Sequence, residues 1–326
     1  MRKLKYCWSL ALAVLPLSGS PCEAIGKDGK PVLIASETAV IVYDAKKHEE
    51  SFIRIANLET GAADFAFLVP TPVPPKLAEA DEKTFGFLQR AVQARTYNIG
   101  CAKEDDAVAG SAPATKDDPV LSVSLVAGYE ATVLSLANPS IAANWLKARN
   151  FPISAASKEW LDSYAVKHWV VTAFRVASAN GEGQLKPIRL TFPTDRPFYP
   201  YREPATQTKS SDKPWRNLQL FILADAPYRG TMGGEAWVGQ ETVCDQLKPE
   251  ELQQIQETLP NVDLSNCHWL TALRDNSYPR IGKEDVVFTP YFQIPASWVK
   301  TGIGILGIGT IGSIAVWRRS RRRRSA

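Results

Sequence analysis

The chain has 326 residues, of which 45% are hydrophobic, 22% charged and 10% aromatic. This composition excludes collagen-like, coiled-coil and wholly disordered proteins, and the length allows one large domain or two of modest size. The formal charge of +4 is concentrated at the chain ends. Residues 1–24 carry +2 and the C-terminal arginines +6, which leaves a body of about −4 and argues against nucleic-acid binding.

The N-terminal segment has the pattern of a secretory signal peptide. A cationic start precedes the apolar stretch Tyr6–Leu17, and small residues follow around Cys22–Ala24. A buried first helix is the alternative, but proline and glycine residues interrupt the segment too early for that. Pro21, directly before Cys22, disfavours a lipoprotein signal. We therefore predict that residues 1–24 are a signal peptide and that the body starts at residue 25.

The C-terminal segment predicts a single membrane anchor. An uncharged apolar run, Thr301–Trp317, is followed at once by a cluster of arginines. A helix over residues 298–317 is long enough to cross a bilayer core of about 30 Å. The alternative is a buried helix beside a basic nucleic-acid arm, but five glycines make this a poor helix in water. The side chains expected at the membrane interface are Trp298, Lys300 and Trp317.

The arginine cluster sets the expected orientation. Arginine-rich flanks stay in the cytoplasm, so residues 318–326 are predicted to be a cytoplasmic tail and the body to lie outside the cytoplasm. The predicted location is the cytoplasmic membrane, crossed once, with the lipid bilayer as partner of the C-terminal helix. The cluster consists of Arg318, Arg319, Arg321, Arg322, Arg323 and Arg324.

The cysteines of the body suggest one disulfide. An exported body meets an oxidising compartment, in which cysteine pairs are stable. Cys244 and Cys267 enclose a helix-like segment, Lys248–Leu259, that could fold back and bring them together. We predict a disulfide between them. Cys101 is then left over, unless Cys22 survives signal cleavage and pairs with it.

The first half of the body has the pattern of a sheet followed by a helix. Three strands are predicted over Thr38–Asp44, Ser51–Ile55 and Asp64–Val69. The segment Pro70–Pro75 cannot donate to a sheet ladder and is predicted to be an extended connector. Residues Asp81–Arg95 place apolar side chains at helical spacing. That stripe consists of Phe85, Leu88, Ala91 and Val92.

The middle of the body predicts two strands and then two helices. Val120–Leu136 forms two β-runs that meet at Gly128. Asn138, before a proline, is a typical helix start, and Asn150 suits the end of that helix. A second short helix is predicted over Ser157–Val166. The expected buried stripes are Ile141, Trp145 and Ala148 in the first helix, and Trp160, Leu161 and Tyr164 in the second.

Strands dominate the remainder, which sets the fold class. The predicted strands are Trp169–Val176, Ile188–Phe192, Leu218–Ala224, Trp269–Arg274 and Val286–Phe292. Strands with a few inserted helices favour an α+β fold with a mostly antiparallel, sandwich-like sheet and three or four short helices. The predicted extracytoplasmic domain spans 25–293, and a division into two subdomains near 195–214 is left open.

Three groups of residues carry a resemblance to a known family. They are Ile53–Asn57 with Asp64–Val73, then Gly128–Ser135 with Asn144–Leu146, Tyr164 and Trp169, and last Leu185–Phe192, Trp269–Arg274 and Asp285–Phe288. Over about residues 30–290 the chain resembles an exported bacterial family known as domain of unknown function 2330. Asn150–Pro152 and Ala272 depart from the family pattern. The resemblance implies export, often with a C-terminal membrane segment, and it supplies no activity or catalytic residue.

The sequence contains no recognisable catalytic or metal-binding motif. Zinc sites use close ligand pairs such as CxxC or HExxH, and neither occurs. Cys101 and His168 could form a nucleophile and base if the fold joined them, but an inert cysteine and a strand-end histidine are the simpler interpretation. We therefore predict no catalytic, cofactor-binding or metal-ligating residue and no cofactor. The sequence favours a protein that is not an enzyme.

These observations favour a non-catalytic module displayed at the outer face of a bacterial membrane. Its partner would be a protein or another envelope component. Two alternatives stay open, namely a subunit of a membrane complex and an extracytoplasmic hydrolase or thiol enzyme that uses Cys101 and His168.

Overall fold

The computed structural model describes residues 23–29, 32–60, 62–96, 120–138, 140–177, 183–204, 217–277 and 282–291. The chain divides into two units, 1–289 and 290–326, and in the second only Pro290 and Tyr291 are described. Most of the predicted signal peptide (residues 1–22), the apolar run and the arginine tail lie outside the described residues. Within those residues, no helix is long and apolar enough to cross a membrane.

In chain order the strands are β1 (Glu23–Gly26), β2 (Val32–Asp44), β3 (Glu49–Thr60), β4 (Asp64–Thr71), β5 (Lys76–Glu79), β6 (Val120–Val126), β7 (Tyr129–Ser135), β8 (Val170–Ala177), β9 (Gly183–Gln184), β10 (Ile188–Pro193), β11 (Phe198–Tyr199), β12 (Asn217–Ala224), β13 (Tyr228–Met232), β14 (Glu235–Ala236), β15 (Gln240–Gln246), β16 (Trp269–Asp275) and β17 (Val286–Pro290). The described α-helices are α1 (Lys83–Thr96), α2 (Ser140–Ala148), α3 (Ala155–Ala165) and α4 (Pro249–Thr258).

These strands form three sheets. One has the order β1-β4-β8-β7-β6, a second β15-β16-β12-β2-β3-β10-β5 with β9 on β3, and a small third β11-β17-β13-β14. The described strand pairings are antiparallel except that of β12 with β2, which is parallel over Asn217–Leu223 and Ser36–Val42. The predicted α+β class with mostly antiparallel, sandwich-like sheet is confirmed. Because strands from both sides of 195–214 share the second sheet, that segment does not divide the described residues into two subdomains.

The two large sheets are buried on both faces. Along β4, Phe65, Phe67 and Val69 belong to a core shared with the second sheet, as the period-two pattern predicts. Ala66 and Leu68 point the other way and pack with α2 and α3. The outer face of the second sheet packs against α1 and α4. The layers are therefore helices, sheet, sheet and helices, which is why the central strands have near-continuous apolar sequences.

The predicted helices are confirmed, with one shift in the face that is buried. The stripe of α1 and the stripe of α3 are buried as expected. In α2 the buried residues are Ala142, Trp145 and Leu146, whereas Ala148 is exposed. The correct stripe follows the i, i+3, i+4 spacing from Ala142, and Ala148 falls on the solvent side of the last turn. Asn150 ends the helix at φ 61°, as its left-handed tolerance predicts.

The first described strand includes the last two residues of the predicted signal peptide, Glu23 and Ala24. Strand β1 pairs Glu23 with Leu68 and Ala24 with Phe67. The Glu23 side chain is 3% exposed. Burial raises the pKa of Glu23 to about 7, and a hydrogen bond with Ser157 opposes the rise. Glu23 and Ala24, which the sequence assigns to the end of the signal peptide, thus form backbone pairs in this sheet, and the cleavage position stays a prediction.

A buried ion pair lies between the two large sheets. Arg54 on β3 and Glu37 on β2 have side chains that are each 2% exposed, with Nε and Oε1 3.2 Å apart. The Arg54 guanidinium also lies 5.2 Å from the centre of the Phe67 ring on β4. Arg54 and Phe67 both belong to the segments that carry the family resemblance. Two of these segments are therefore in contact in the core.

Candidate binding groove

Five segments at the ends of the strands surround a groove of about 600 Å³. They are the turn Lys47–His48, the connector Pro72–Val73, the turn Lys167–Trp169, the connector Pro193–Phe198 and the start of β17 at Glu284–Val287. Loops that meet on a rigid scaffold are the common position of binding sites, and this volume suits a small ligand or a chain end.

The turn after α3 places two side chains of the groove. The amide of Trp169 donates to the Tyr164 carbonyl at 3.2 Å, and the amide of His168 donates to the Ala165 carbonyl at 2.9 Å. This pair of bonds is the Schellman helix ending, which requires a left-handed residue. His168 occupies that position at φ 56°. The ending therefore fixes Lys167 and Trp169 on either side of His168.

This geometry gives His168 a backbone role that can be tested. A left-handed conformation costs a non-glycine residue about 1–2 kcal/mol. His168→Gly is therefore expected to raise the free energy of unfolding by about 1 kcal/mol. His168→Ala, which keeps the Cβ, should bring no gain. Urea unfolding of both variants measures the difference, and a glycine variant less stable than the alanine variant would contradict this role.

Aromatic rings form the floor of the groove. The Trp169 and Phe198 ring centres are 5.0 Å apart with an interplanar angle of 59°. Trp169 also stacks on Tyr164, with ring centres 5.5 Å apart. Phe198 in turn contacts Phe192, at 5.7 Å. This chain of rings connects the floor to the core between the sheets and limits its movement.

A buried carboxylate, Asp285, pairs with one cation of the groove, Lys167. The Asp285 side chain is 5% exposed and its Oδ2 is 3.5 Å from the Lys167 Nζ, whose side chain is 39% exposed. Asp285 Oδ1 accepts hydrogen bonds from the Tyr164 hydroxyl at 2.7 Å and the Arg202 amide at 3.3 Å. Burial raises the pKa of Asp285, while Lys167 and these hydrogen bonds oppose the rise.

A second buried carboxyl group supports the aromatic floor. Glu50 is fully buried, and its Oε2 accepts a hydrogen bond from the Phe198 amide at 2.9 Å. Burial raises the pKa of Glu50 well above its ordinary value. The neighbouring connector is held by the Tyr43 hydroxyl, which donates to the Asp195 carbonyl at 2.8 Å. The aromatic floor and the connector Pro193–Phe198 are therefore held in place by hydrogen bonds with side chains of strands β2 and β3.

The predicted disulfide between Cys244 and Cys267 is not formed, and the strand register explains why. Cys244 on β15 pairs with Thr271 of β16, four residues beyond Cys267. Four extended residues span roughly 13 Å, whereas disulfides join Cα atoms less than about 7 Å apart. The buried Cys267 Sγ instead donates to the Tyr43 carbonyl at 3.4 Å. Burial raises the pKa of Cys267 to about 12, which makes it an unreactive thiol.

Most of the other predicted site residues lie outside the described residues. These are Cys22, Cys101, Trp298, Lys300, Trp317 and the arginines Arg318, Arg319, Arg321, Arg322, Arg323 and Arg324. In the part of the chain that is described, no three His, Cys, Asp or Glu side chains are arranged to hold a metal ion. The sequence patterns did not identify Lys167, Phe198 and Asp285 as site residues, because their shared position depends on long-range contacts.

Comparison with known proteins identifies the family. A family model described as an uncharacterized protein conserved in bacteria, DUF2330, matches residues 16–232. The chain belongs to the DUF2330 family. The predicted resemblance is confirmed, but the DUF2330 match ends before Trp269–Arg274 and Asp285–Phe288, which had been expected to share it. The DUF2330 match includes four of the five groove segments and leaves out the one that contains Asp285.

Two solved structures are similar over most of the chain. Baculovirus P35 is 7% identical, with a TM-score of 0.41, and covers 85% of this chain and 100% of its own. A mutated baculovirus P35 after caspase cleavage is 8% identical, with a TM-score of 0.38, and covers 78% and 99%. Likeness at this level bears on neither fold nor function. No curated protein matches the chain.

Proposed function

We propose that this DUF2330 chain is a non-catalytic binding module, held at the outer face of the bacterial cytoplasmic membrane, and that the groove is its binding surface. The observation that carries the proposal is the groove itself, in which five segments converge on an aromatic floor supported by Asp285 and Glu50. Apolar concave sites with a few convergent polar groups are the usual form of ligand sites.

The described lining favours binding over catalysis. Among the described residues that line the groove, Thr194 is the one with a hydroxyl group. Its Oγ1 donates a hydrogen bond to the Arg196 carbonyl at 2.8 Å. His48 is exposed, and its Nδ1 lies 3.8 Å from Asp195. Lys167 is paired with Asp285. A nucleophile needs a base within hydrogen-bond reach, and the described lining offers no such pair.

The membrane location is supported by the sequence at both ends. The signal pattern in residues 1–24 and the arginines after the apolar run predict the same orientation independently. The groove would then face the envelope, where its partner is a protein or another envelope component.

Matched variants of two exposed valines test the groove as a binding surface. Val73 lies in the groove and is 36% exposed, whereas Val238 lies outside its lining and is 47% exposed. Affinity capture from the cell's own membranes, with mass identification, is expected to recover a partner with wild type and Val238→Asp and to lose it with Val73→Asp. Capture that is unaffected by Val73→Asp would overturn the groove as the binding surface.

Protease accessibility tests the location separately. Protease added to spheroplasts is expected to digest the body and to spare an epitope placed after Ala326. Digestion of the epitope with survival of the body would overturn the proposed orientation without bearing on the groove.

A further inference from the structure

The ammonium of Lys167 has binding capacity that its described contacts do not use. It carries three N–H donors, and its one described hydrogen-bond partner is Asp285, at the long distance of 3.5 Å. The ammonium also lies 4.9 Å from the Trp169 ring centre and 5.3 Å from that of Tyr164. An anionic group that reaches Lys167 is therefore next to aromatic rings.

The exposed charged side chains at the edge of the groove, here called the rim, complement the charged and polar groups near a peptide C-terminus. Arg196 is exposed, and within the described residues its guanidinium has no ion pair, so it adds a further cation for a carboxylate beside Lys167. Glu284 and Asp195 are exposed carboxylates on the same rim, and carboxylates accept hydrogen bonds from amide N–H groups. In a terminal residue, the carboxylate, the amide N–H and the side chain all branch from one Cα.

We propose that the groove binds the C-terminus of a peptide whose last residue is aromatic. This inference rests on the proposed function and names its ligand class. The terminal carboxylate binds Lys167, the aromatic side chain contacts Trp169 and Phe198, and the rim carboxylates accept the backbone N–H groups. Capture of a terminal carboxylate is a known form of peptide recognition, and ring-to-ring contact favours an aromatic side chain over an aliphatic one.

Four small probes separate the parts of this ligand. N-acetyl-phenylalanine has the carboxylate, the amide and the ring, and N-acetyl-phenylalaninamide lacks the charge. N-acetyl-glycine lacks the ring, and 3-phenylpropionate lacks the amide. Titration calorimetry with the purified full-length chain is expected to give N-acetyl-phenylalanine at least tenfold higher affinity than each of the others. Equal affinity for any of the three would overturn the proposed class, and so would an absence of binding by N-acetyl-phenylalanine.

Variants of Lys167 and Lys158 test whether the Lys167 ammonium causes the preference for the acid probe over the amide probe. Lys167→Met keeps the alkyl stem and removes the ammonium, and it should abolish the tenfold preference for the acid over the amide. Lys167→Arg should retain the preference. Lys158→Met is the matched control, because Lys158 is an exposed lysine paired with Asp162 on α3, outside the groove. A preference that survives Lys167→Met, or that Lys158→Met also removes, would overturn the assignment.

Loss of folding in Lys167→Met can be separated from loss of binding. Removal of the ammonium leaves the buried Asp285 carboxylate without its cation. The double variant Lys167→Met/Asp285→Asn removes both charges and should fold while still lacking the preference. Partner capture with Val73→Asp reports on the groove independently, so failure of the probes with loss of capture rejects the ligand class and leaves the proposed function standing.

Discussion

Replacing Arg54 with methionine is expected to lower the free energy of unfolding by about 3–5 kcal/mol. The substitution would leave Glu37 charged in the core between the sheets, 2% exposed. Within the described residues its carboxylate oxygens have no hydrogen-bond partner, so the guanidinium is what stabilises the charge. Glu37→Gln is expected to have an effect of similar size, because it removes the negative charge that lies 3.2 Å from the Nε of the buried Arg54. Urea unfolding measures both changes.

The double variant tells whether the pair or its individual charges determine stability. Glu37→Gln/Arg54→Met removes both buried charges and should recover most of the loss, because a neutral pair of similar volume avoids desolvation. Lys158→Met, in an exposed pair on α3, is the control and should change stability by less than about 1 kcal/mol. An Arg54→Met variant as stable as this control would show that the buried pair contributes little.

The sequence was sufficient for the fold class and for most of the long strands and helices, because local periodicity follows burial. Phe65, Phe67 and Val69 alternate in sequence and share one face in the structure. The parallel pairing of β2 with β12 was not predicted, since it joins residues far apart in the chain. The polar strands β14 and β15 were also missed, because their exposed side chains leave no apolar pattern.

The groove could be predicted only in part. The proline-rich connectors and Trp169 were recognised as separate features, but nothing local shows that they meet. Lys167 and Asp285 are 118 residues apart, and in the sequence each has the composition of a solvated surface charge. The same holds for Glu23 and Glu50, whose burial depends on tertiary packing. Sequence patterns therefore located the segments, and the fold determined which charges are buried.

Replacing Glu23 with glutamine is expected to stabilise the protein in a pH-dependent way. Burial raises the pKa of Glu23 from 4.5 to about 7, so the folded state binds this proton more tightly than the unfolded state. The wild-type chain therefore loses stability as the pH rises from about 4.5 to about 7. At about 1.4 kcal/mol per pKa unit, the loss amounts to about 3 kcal/mol above pH 7.

Glutamine resembles the protonated acid and has no charge to desolvate. Glu23→Gln should therefore exceed wild type by about 3 kcal/mol in unfolding free energy at pH 8 and match it near pH 4.5. Glu159→Gln, an exposed glutamate on α3, is the control and should change stability by less than about 0.5 kcal/mol at both pH values. Because Glu50 and Asp285 titrate equally in wild type and variant, the difference between the two curves isolates Glu23. A difference that is independent of pH would mean that the Glu23 carboxyl is solvated and that β1 does not pack as the sheet register requires.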